Sequence, residues 1–406
     1  MVRPDTDRKP TPLPAAVSSA RIAIASSGLG HIRRGIETWA DDLAQELARS
    51  SVNVTLFQGK ETSSAAESPA SLKRVAFNSL SRFDKNVERQ VKAFLKLGGW
   101  KYGFGSVYQI EQTYFTLKLW QSVRKDYDIV HVQDPWVALL MTQLHQRGLS
   151  RPYAILGHGT EEDDSFLKKL EYLQHLSPCY LETWIDIQPA LQMAFAIPNF
   201  VDTSTFLPGD KQAARHQWNL PEDATVMLCV AAIKSTHKRV DALVQEFKTF
   251  LDTAPSNALL VVAGAREKES DAIIEQGKAI LGDRVRFLES VNRSEIPSLY
   301  QAADMFVIAS LHEMMPIAML EALASGLPIV CNNTPTMSWM AGPAGRLTDI
   351  SMPGNLSKQL QSMMDTDLRR QCSIEARKRA LNVFSKEVVV QEYIAMYDTI
   401  LLKSKK

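Results

Sequence analysis

What this sequence lacks sets the first limits. Its four cysteines (Cys179, Cys229, Cys331, Cys372) lie far apart with no metal-ligand spacing. A disulfide scaffold and a zinc module are therefore excluded, and buried thiols in a reducing compartment, the cytoplasm, are expected. No apolar run approaches the roughly 18 residues of a membrane span. Neither sign of charge prevails, and a net charge of +1 argues against bulk electrostatic binding of nucleic acid. The opening stretch MVRPDTDRKPTPLP has no apolar core, so residues 1–19 read as a disordered tail rather than a signal peptide. The dinucleotide fingerprint is incomplete. Gln58-Gly59 stands where a dehydrogenase carries an acidic ribose partner after its second strand.

What is present is a soluble globular composition, 45% hydrophobic and 22% charged over 406 residues, long enough for two domains. Arg21–Ser26 (RIAIAS) is a strand leading into a glycine turn at Gly28 and Gly30. From about Gly35, Ile36, Trp39, Leu43 and Leu47 recur at helical spacing. Strand, turn and helix make a phosphate-binding start. Alternation continues through strands Val52–Phe57, Tyr127–Val132 and Tyr153–Leu156, with helices Val107–Val123 and Pro135–Gln146. The proline-bearing stretch Pro198–Asp210 has linker composition. The alternation then restarts with strand Thr225–Ile233, helix Val240–Leu251 and strand Leu259–Ala263. A helix to Leu281, strand Val285–Leu288 and helix Glu295–Ala303 follow. This is an α/β chain of two doubly wound, Rossmann-like parallel sheets.

The most informative stretch runs from Asp304 to Cys331. Met305–Ala309 is a buried-strand run, Ser310–Met315 a polar elbow, and Pro316 the first position of a helix ending at Gly326. Leu327–Cys331 returns as a strand. Glu313 sits in the elbow and Glu321 on the helix, seven residues apart in between. A helix start favours anions such as pyrophosphate. Two glutamates there would repel phosphate, so they accept hydrogen bonds from hydroxyls on either side of it. A sugar nucleotide has that layout.

Other features carry two readings each. The basic cluster Lys234–Arg239 (KSTHKR) follows the first strand of the second half. It either neutralises a pyrophosphate or is a solvated loop. His158, after a strand, either points into the crevice at the strands' carboxyl ends or is a structural histidine. The acidic run Glu161–Asp164 either holds a metal or stabilises the next helix start. Residues 82–101 form a basic, partly amphipathic segment, either a peripheral membrane or acceptor contact or a solvated face.

Together SLYQAADMFVIASLHEMMPIAMLEALASGLPIV (Ser298–Val330), IPNFVDTSTF and the VFSKEVVVQEYIAMYDTIL ending resemble the retaining, metal-independent glycosyltransferases of GT-B fold, the group 1 or family 4 type. The resemblance implies an N-terminal acceptor-side domain over 20–197, a linker over 198–210 and a donor domain over 211–383. It also implies a closing helix, 384–406, that crosses back to the first domain. It implies two domains facing across a cleft and a nucleotide-sugar donor with no cofactor or metal. The acceptor would be a saccharide, a lipid-linked compound or a small-molecule hydroxyl. Residue by residue, it places Glu313 on donor-sugar hydroxyls, Glu321 on the ribose and Lys238 on the diphosphate. His158 falls beside the transferred sugar, Gly28 and Gly30 over the phosphates, and Ser310 before the first glutamate. Met314, Met315 and Pro316 stand in the donor loop, where Met315-Pro316 replaces the family's phenylalanine-glycine. Ala231-Ala232 replaces its glycine-arginine, and Lys234 is the candidate for the missing charge. Two alternatives stay open: a nucleotide-sugar epimerase or glycogen/sucrose-synthase-like enzyme, and an inactive nucleotide-sugar-binding module.

Overall fold

The interior strand β1 (Ile22–Ser26) and its neighbour β2 (Val54–Gln58) are buried along their whole length, as strands covered on both faces must be. The structure, a computed structural model, describes residues 12–32, 35–61, 68–84, 87, 89, 91, 104–159, 162–254 and 256–403. The segment 82–101 therefore lies largely outside the described residues. Two compact units emerge, one of residues 1–197 and 390–406, the other of residues 198–389.

In the first unit, β3 (Lys73–Ala76), β4 (Ile129–Val132), β5 (Tyr153–His158), β6 (Tyr172–His175) and β7 (Met193–Ala196) join β1 and β2. The order is β3-β2-β1-β4-β5-β6-β7, and every pairing is parallel. The order reverses between β1 and β4, which is where open parallel sheets bind ligands. Helix Gly35–Arg49 buries Trp39, Leu43 and Leu47, the stripe its sequence period requires.

The second unit holds β8 (Thr225–Val230), β9 (Ala258–Gly264), β10 (Val285–Glu289), β11 (Met305–Val307), β12 (Ile329–Asn332) and β13 (Gly345–Thr348). Their order is β10-β9-β8-β11-β12-β13, again all parallel, with the reversal between β8 and β11. Helix Val240–Thr253 packs Val240, Leu243, Val244, Phe247 and Phe250 into the core. Each such side chain contributes about 1.5–3 kcal/mol.

Several boundaries differ from the sequence reading. Ala15–Ser19, expected within a disordered tail, is a short helix with Ala16 and Val17 buried; those two apolar side chains are what order it. β11 stops at Val307, because Ile308–Pro316 forms the elbow. Pro316 is the N-cap, and the helix runs Ile317–Ala324. Proline still fits, since a cap needs no helical N–H donor. The linker-like stretch is tied to the second unit: Val201 N–H donates to Phe384 O at 2.8 Å. Arg377 donates to Thr203 O and Phe206 O, both at 3.0 Å. The last helix, Lys386–Lys403, leaves the second unit and belongs to the first from Val390.

Candidate active site

The reversal between β8 and β11 brings two loops together. Ala231–Arg239 leaves β8 and Ile308–Pro316 leaves β11, so the fold itself places Lys238 beside Glu313. They form an ion pair with both side chains largely buried. Leu311 N–H donates to His237 O at 3.1 Å, which locks one loop to the other. Asn332, at the end of β12, donates from its side chain to Leu311 O at 2.9 Å. Glu269 accepts from Ser235 N–H at 3.1 Å and from its hydroxyl, pinning the start of the basic loop where Lys234 stands. Beneath the pair, Cys229 is fully buried, and burial pushes its thiol up to about 12, with Glu313 adding to the shift and Lys238 opposing it.

Glu321 lies on the second turn of helix Ile317–Ala324 and is buried. Tyr300 donates its hydroxyl to Glu321 Oε2 at 3.0 Å, and Arg293 faces Oε1 at 3.8 Å. The first amides of this helix, Ile317 and Ala318, have no residue one turn earlier within the helix to bond, so they point positive potential into the elbow. Ser310 is fully buried, and its hydroxyl has no hydrogen-bond partner among the described residues. Met314 is half-buried. Met315 turns inward, its sulfur accepting Asn199 N–H at 3.2 Å. The second unit thus gathers Lys234, Lys238, Ser310, Glu313, Met314, Met315, Pro316 and Glu321 on neighbouring loops and one helix.

The first unit holds the remaining predicted residues at the ends of β1 and β5. Gly30 has φ +98° and stands so close to the Lys60 carbonyl that a Cβ would meet it at 2.1 Å. At Gly28 a Cβ would meet Glu37 Oε1 at 2.3 Å. Glycine is thus required at Gly30, where the obstacle is backbone and φ is positive, whereas at Gly28 the obstacle is the movable end of the Glu37 side chain. His158 ends β5 with its Nδ1 3.3 Å from His175 Nδ1. Burial holds the His175 imidazole down to about 3, helped by His158, so His175 is neutral. In the acidic run, Asp163 caps helix Asp164–Leu167, accepting Phe166 N–H at 2.9 Å, which is the helix-start reading. Among the described residues no three His, Cys, Asp or Glu side chains are grouped to hold a metal.

Sequence reasoning missed a buried polar network behind the glycine turn. Asp134, just past β4, accepts Ser27 N–H at 2.8 Å and its hydroxyl at 2.9 Å. Burial raises Asp134 to about 6 against the pull of these bonds. Glu111 is fully buried and receives Arg82 through backbone N–H at 2.6 Å and guanidinium at 2.6 Å. Burial alone would raise Glu111, but His31 and Arg82 bring it down to about 2. The one legible signal was Asp134 directly before Pro135, a helix-start pattern. Nothing in sequence pairs Arg82 with Glu111.

Residues 210–379 match the family model of glycosyl transferases group 1. Over 211 residues the chain is 31% identical to a D-inositol 3-phosphate glycosyltransferase of Geodermatophilus obscurus, covering 50% of this chain and 46% of that protein. It is 24% identical over 211 residues to the N-acetyl-alpha-D-glucosaminyl L-malate synthase of Bacillus anthracis, covering 51% of this chain and 54% of that one. The chain thus spans about half the length of the curated relatives it matches. Among solved structures, a sucrose-phosphate synthase from Thermosynechococcus elongatus superposes with a TM-score of 0.71 at 19% identity, over 95% of this chain and 100% of that one. The Anabaena protein HepE, solved with UDP and glucose, gives a TM-score of 0.69 at 13% identity, over 93% and 99%. These likenesses establish the GT-B fold, and the match to the group 1 glycosyl transferases lies over residues 210–379.

Proposed function

We propose that this chain, whose residues 210–379 belong to the glycosyl transferases of group 1, moves a sugar from a nucleoside-diphosphate donor to an acceptor hydroxyl. The reaction retains anomeric configuration and needs no metal ion. The observation that carries the reading is the Lys238–Glu313 pair at the reversal between β8 and β11. Breaking the sugar–phosphate bond builds negative charge on the departing diphosphate. Lys238, the amides of Ile317 and Ala318, and Lys234 supply fixed positive potential for that charge. Glu313 accepts hydrogen bonds from sugar hydroxyls, Glu321 from the ribose. The leaving diphosphate takes the acceptor proton as the new glycosidic bond forms on the face the leaving group occupied. The resemblance also gives roles to first-unit residues, His158 toward the transferred sugar and Gly28 and Gly30 toward the phosphates. The four free cysteines, three of them buried, support a cytoplasmic site of action.

The test is a panel of UDP-, GDP-, ADP- and TDP-sugars. A donor that binds raises the unfolding temperature, and the same donor should show hydrolysis or transfer that vanishes in Glu313→Gln. Tight binding without turnover by the unaltered chain would make it a binding module, and an isomerised donor without acceptor would make it an epimerase.

A further inference from the structure

The carboxylate of Glu321 is 5% exposed, and a buried carboxylate persists only if its oxygens are held by donors. One donor comes from Tyr300, on helix Ile296–Ala302. Its hydroxyl lies 3.0 Å from Glu321 Oε2 and 3.0 Å from Ala318 O. A phenol has one proton, and between two acceptors at equal distance the charged one is the stronger. Ala318 O belongs to the helix and keeps its own ladder. Tyr300 has no room to turn away. Its ring is fully buried, packed edge-on to Phe206 at 5.8 Å and tilted against Phe306 at 6.1 Å. Burial, with the Glu321 charge beside it, holds the phenol well above its ordinary pKa, so the proton stays on.

We propose that Tyr300 is the positioning residue for Glu321, fixing one carboxylate oxygen so that the other is presented to the vicinal hydroxyls of a ribose. The inference rests on the donor reading above and deepens it: nucleotides would be selected by their ribose through a tyrosine that never touches them. Oε1, the oxygen that faces the solvent-exposed Arg293 at 3.8 Å, is the one turned to the ligand. Freed of Tyr300, the carboxylate can rotate, and both oxygens lose their fixed direction.

The experiment is isothermal titration of the full chain with UDP, GDP and ADP and with their 2′,3′-dideoxy counterparts. In the unaltered protein the ribose form of the preferred nucleotide should bind at least about tenfold tighter, the worth of one hydrogen bond to a charged group. In Tyr300→Phe the ribose form should weaken about tenfold while the dideoxy form stays unchanged, so that discrimination falls toward one. A merely structural role would weaken both forms together. That result, or discrimination kept intact, overturns the proposal. If Tyr300→Phe does not fold, Tyr300→3-fluorotyrosine keeps the ring and sharpens the donor. It should widen the discrimination two- to threefold, and an unchanged ratio overturns the proposal. If the unaltered, folded chain binds none of the three nucleotides, the donor reading itself falls and takes this inference with it. That failure is seen before any variant is made.

Discussion

Lys238 and Glu313 are bound to each other across two loops that the strand order forces together. The pairing lets a lysine and a carboxylate, both largely shielded, satisfy each other. Under the proposed function, a diphosphate would draw the ammonium away from Glu313 and free the carboxylate for sugar hydroxyls. Lys238→Ala is therefore expected to lower donor turnover about a hundredfold, the usual loss for one preorganised donor at a developing charge. Glu313→Gln should lose as much. Because the two act on one another, the double variant should fall short of the product of the single losses. Fully multiplicative losses in kcat/KM would show that the pair does not work as a unit.

Glu111 supplies a prediction in pH. Its carboxyl is held down to about 2 by His31 and Arg82 in spite of burial, so the unfolded chain binds more protons than the folded one between that value and the ordinary carboxylate range. Stability from this group is fully present above about pH 4.5 and is lost as pH falls through about 2. Glu111→Gln strands Arg82, and the cost at pH 7 should be about 3–5 kcal/mol. Urea unfolding of both proteins from pH 7 to pH 3 should show the gap narrowing as the pH drops. A gap that is constant with pH would mean that the carboxylate charge is not what holds Arg82.

Much of this molecule was legible beforehand, and the reasons differ by element. Apolar runs such as Met305–Val307 and Leu259–Ala263 show as strands because burial on both faces leaves no room for polar residues. Tyr172–His175 (YLQH) does not show as a strand in the sequence. Its Gln174 and His175 are buried, but they look like loop residues until their partners are known. Lys73–Ala76 and Gly345–Thr348 sit at sheet edges, where partial exposure permits mixed composition. Glu313 and Glu321 stand out because an elbow and a helix start follow the apolar run Met305–Val307, whereas Lys238 is distinguished within its basic cluster by the family resemblance alone. Tyr300 does not stand out, since a tyrosine at helical spacing reads as core, and here it is core with a hydroxyl that does something further.

Gly30 tests whether the glycine turn is dictated by packing. A methyl group there would collide with the Lys60 carbonyl at 2.1 Å and sit at φ +98°. Gly30→Ala should therefore cost more than about 2 kcal/mol. Gly148 has φ +71° with nothing within 4 Å of its added Cβ, so Gly148→Ala carries the backbone strain alone, about 1 kcal/mol. Chemical denaturation of the two variants side by side separates crowding from conformation. Equal costs would mean that the turn relaxes freely.

Thiol chemistry gives a further independent check. Cys229, Cys331 and Cys372 are buried, and Cys179 is half-exposed. Burial pushes Cys229 and Cys331 up to about 12, which leaves almost no thiolate to react. Native protein at pH 8 should therefore take up about one equivalent of a thiol reagent quickly, at Cys179, and the rest only on unfolding. Loss of the fast phase in Cys179→Ser would assign it.

The end of the chain is fastened to the first unit by two buried hydrogen bonds from one helix face. Trp39 Nε1–H donates to Tyr393 Oη at 3.0 Å, and the Tyr397 hydroxyl lies 2.8 Å from His131 Nδ1. Burial holds His131 down to about 3 and raises Tyr397, so at neutral pH a neutral imidazole and a protonated phenol share this hydrogen bond. Tyr397→Phe leaves that imidazole nitrogen buried without its partner, and Tyr393→Phe does the same to the indole N–H. Each should cost about 1–3 kcal/mol at pH 7. The two tyrosines are four apart on one helix and their rings lie 6.5 Å from each other, so the double variant should depart from additivity. His131 stays neutral in the folded chain down to about pH 3, so the Tyr397→Phe cost should hold steady from pH 7 to about pH 4 while the stability of both proteins falls below about pH 6.5, where the unfolded histidine takes up a proton. A Tyr397→Phe cost that is negligible at neutral pH would show that the helix is held by its apolar contacts alone.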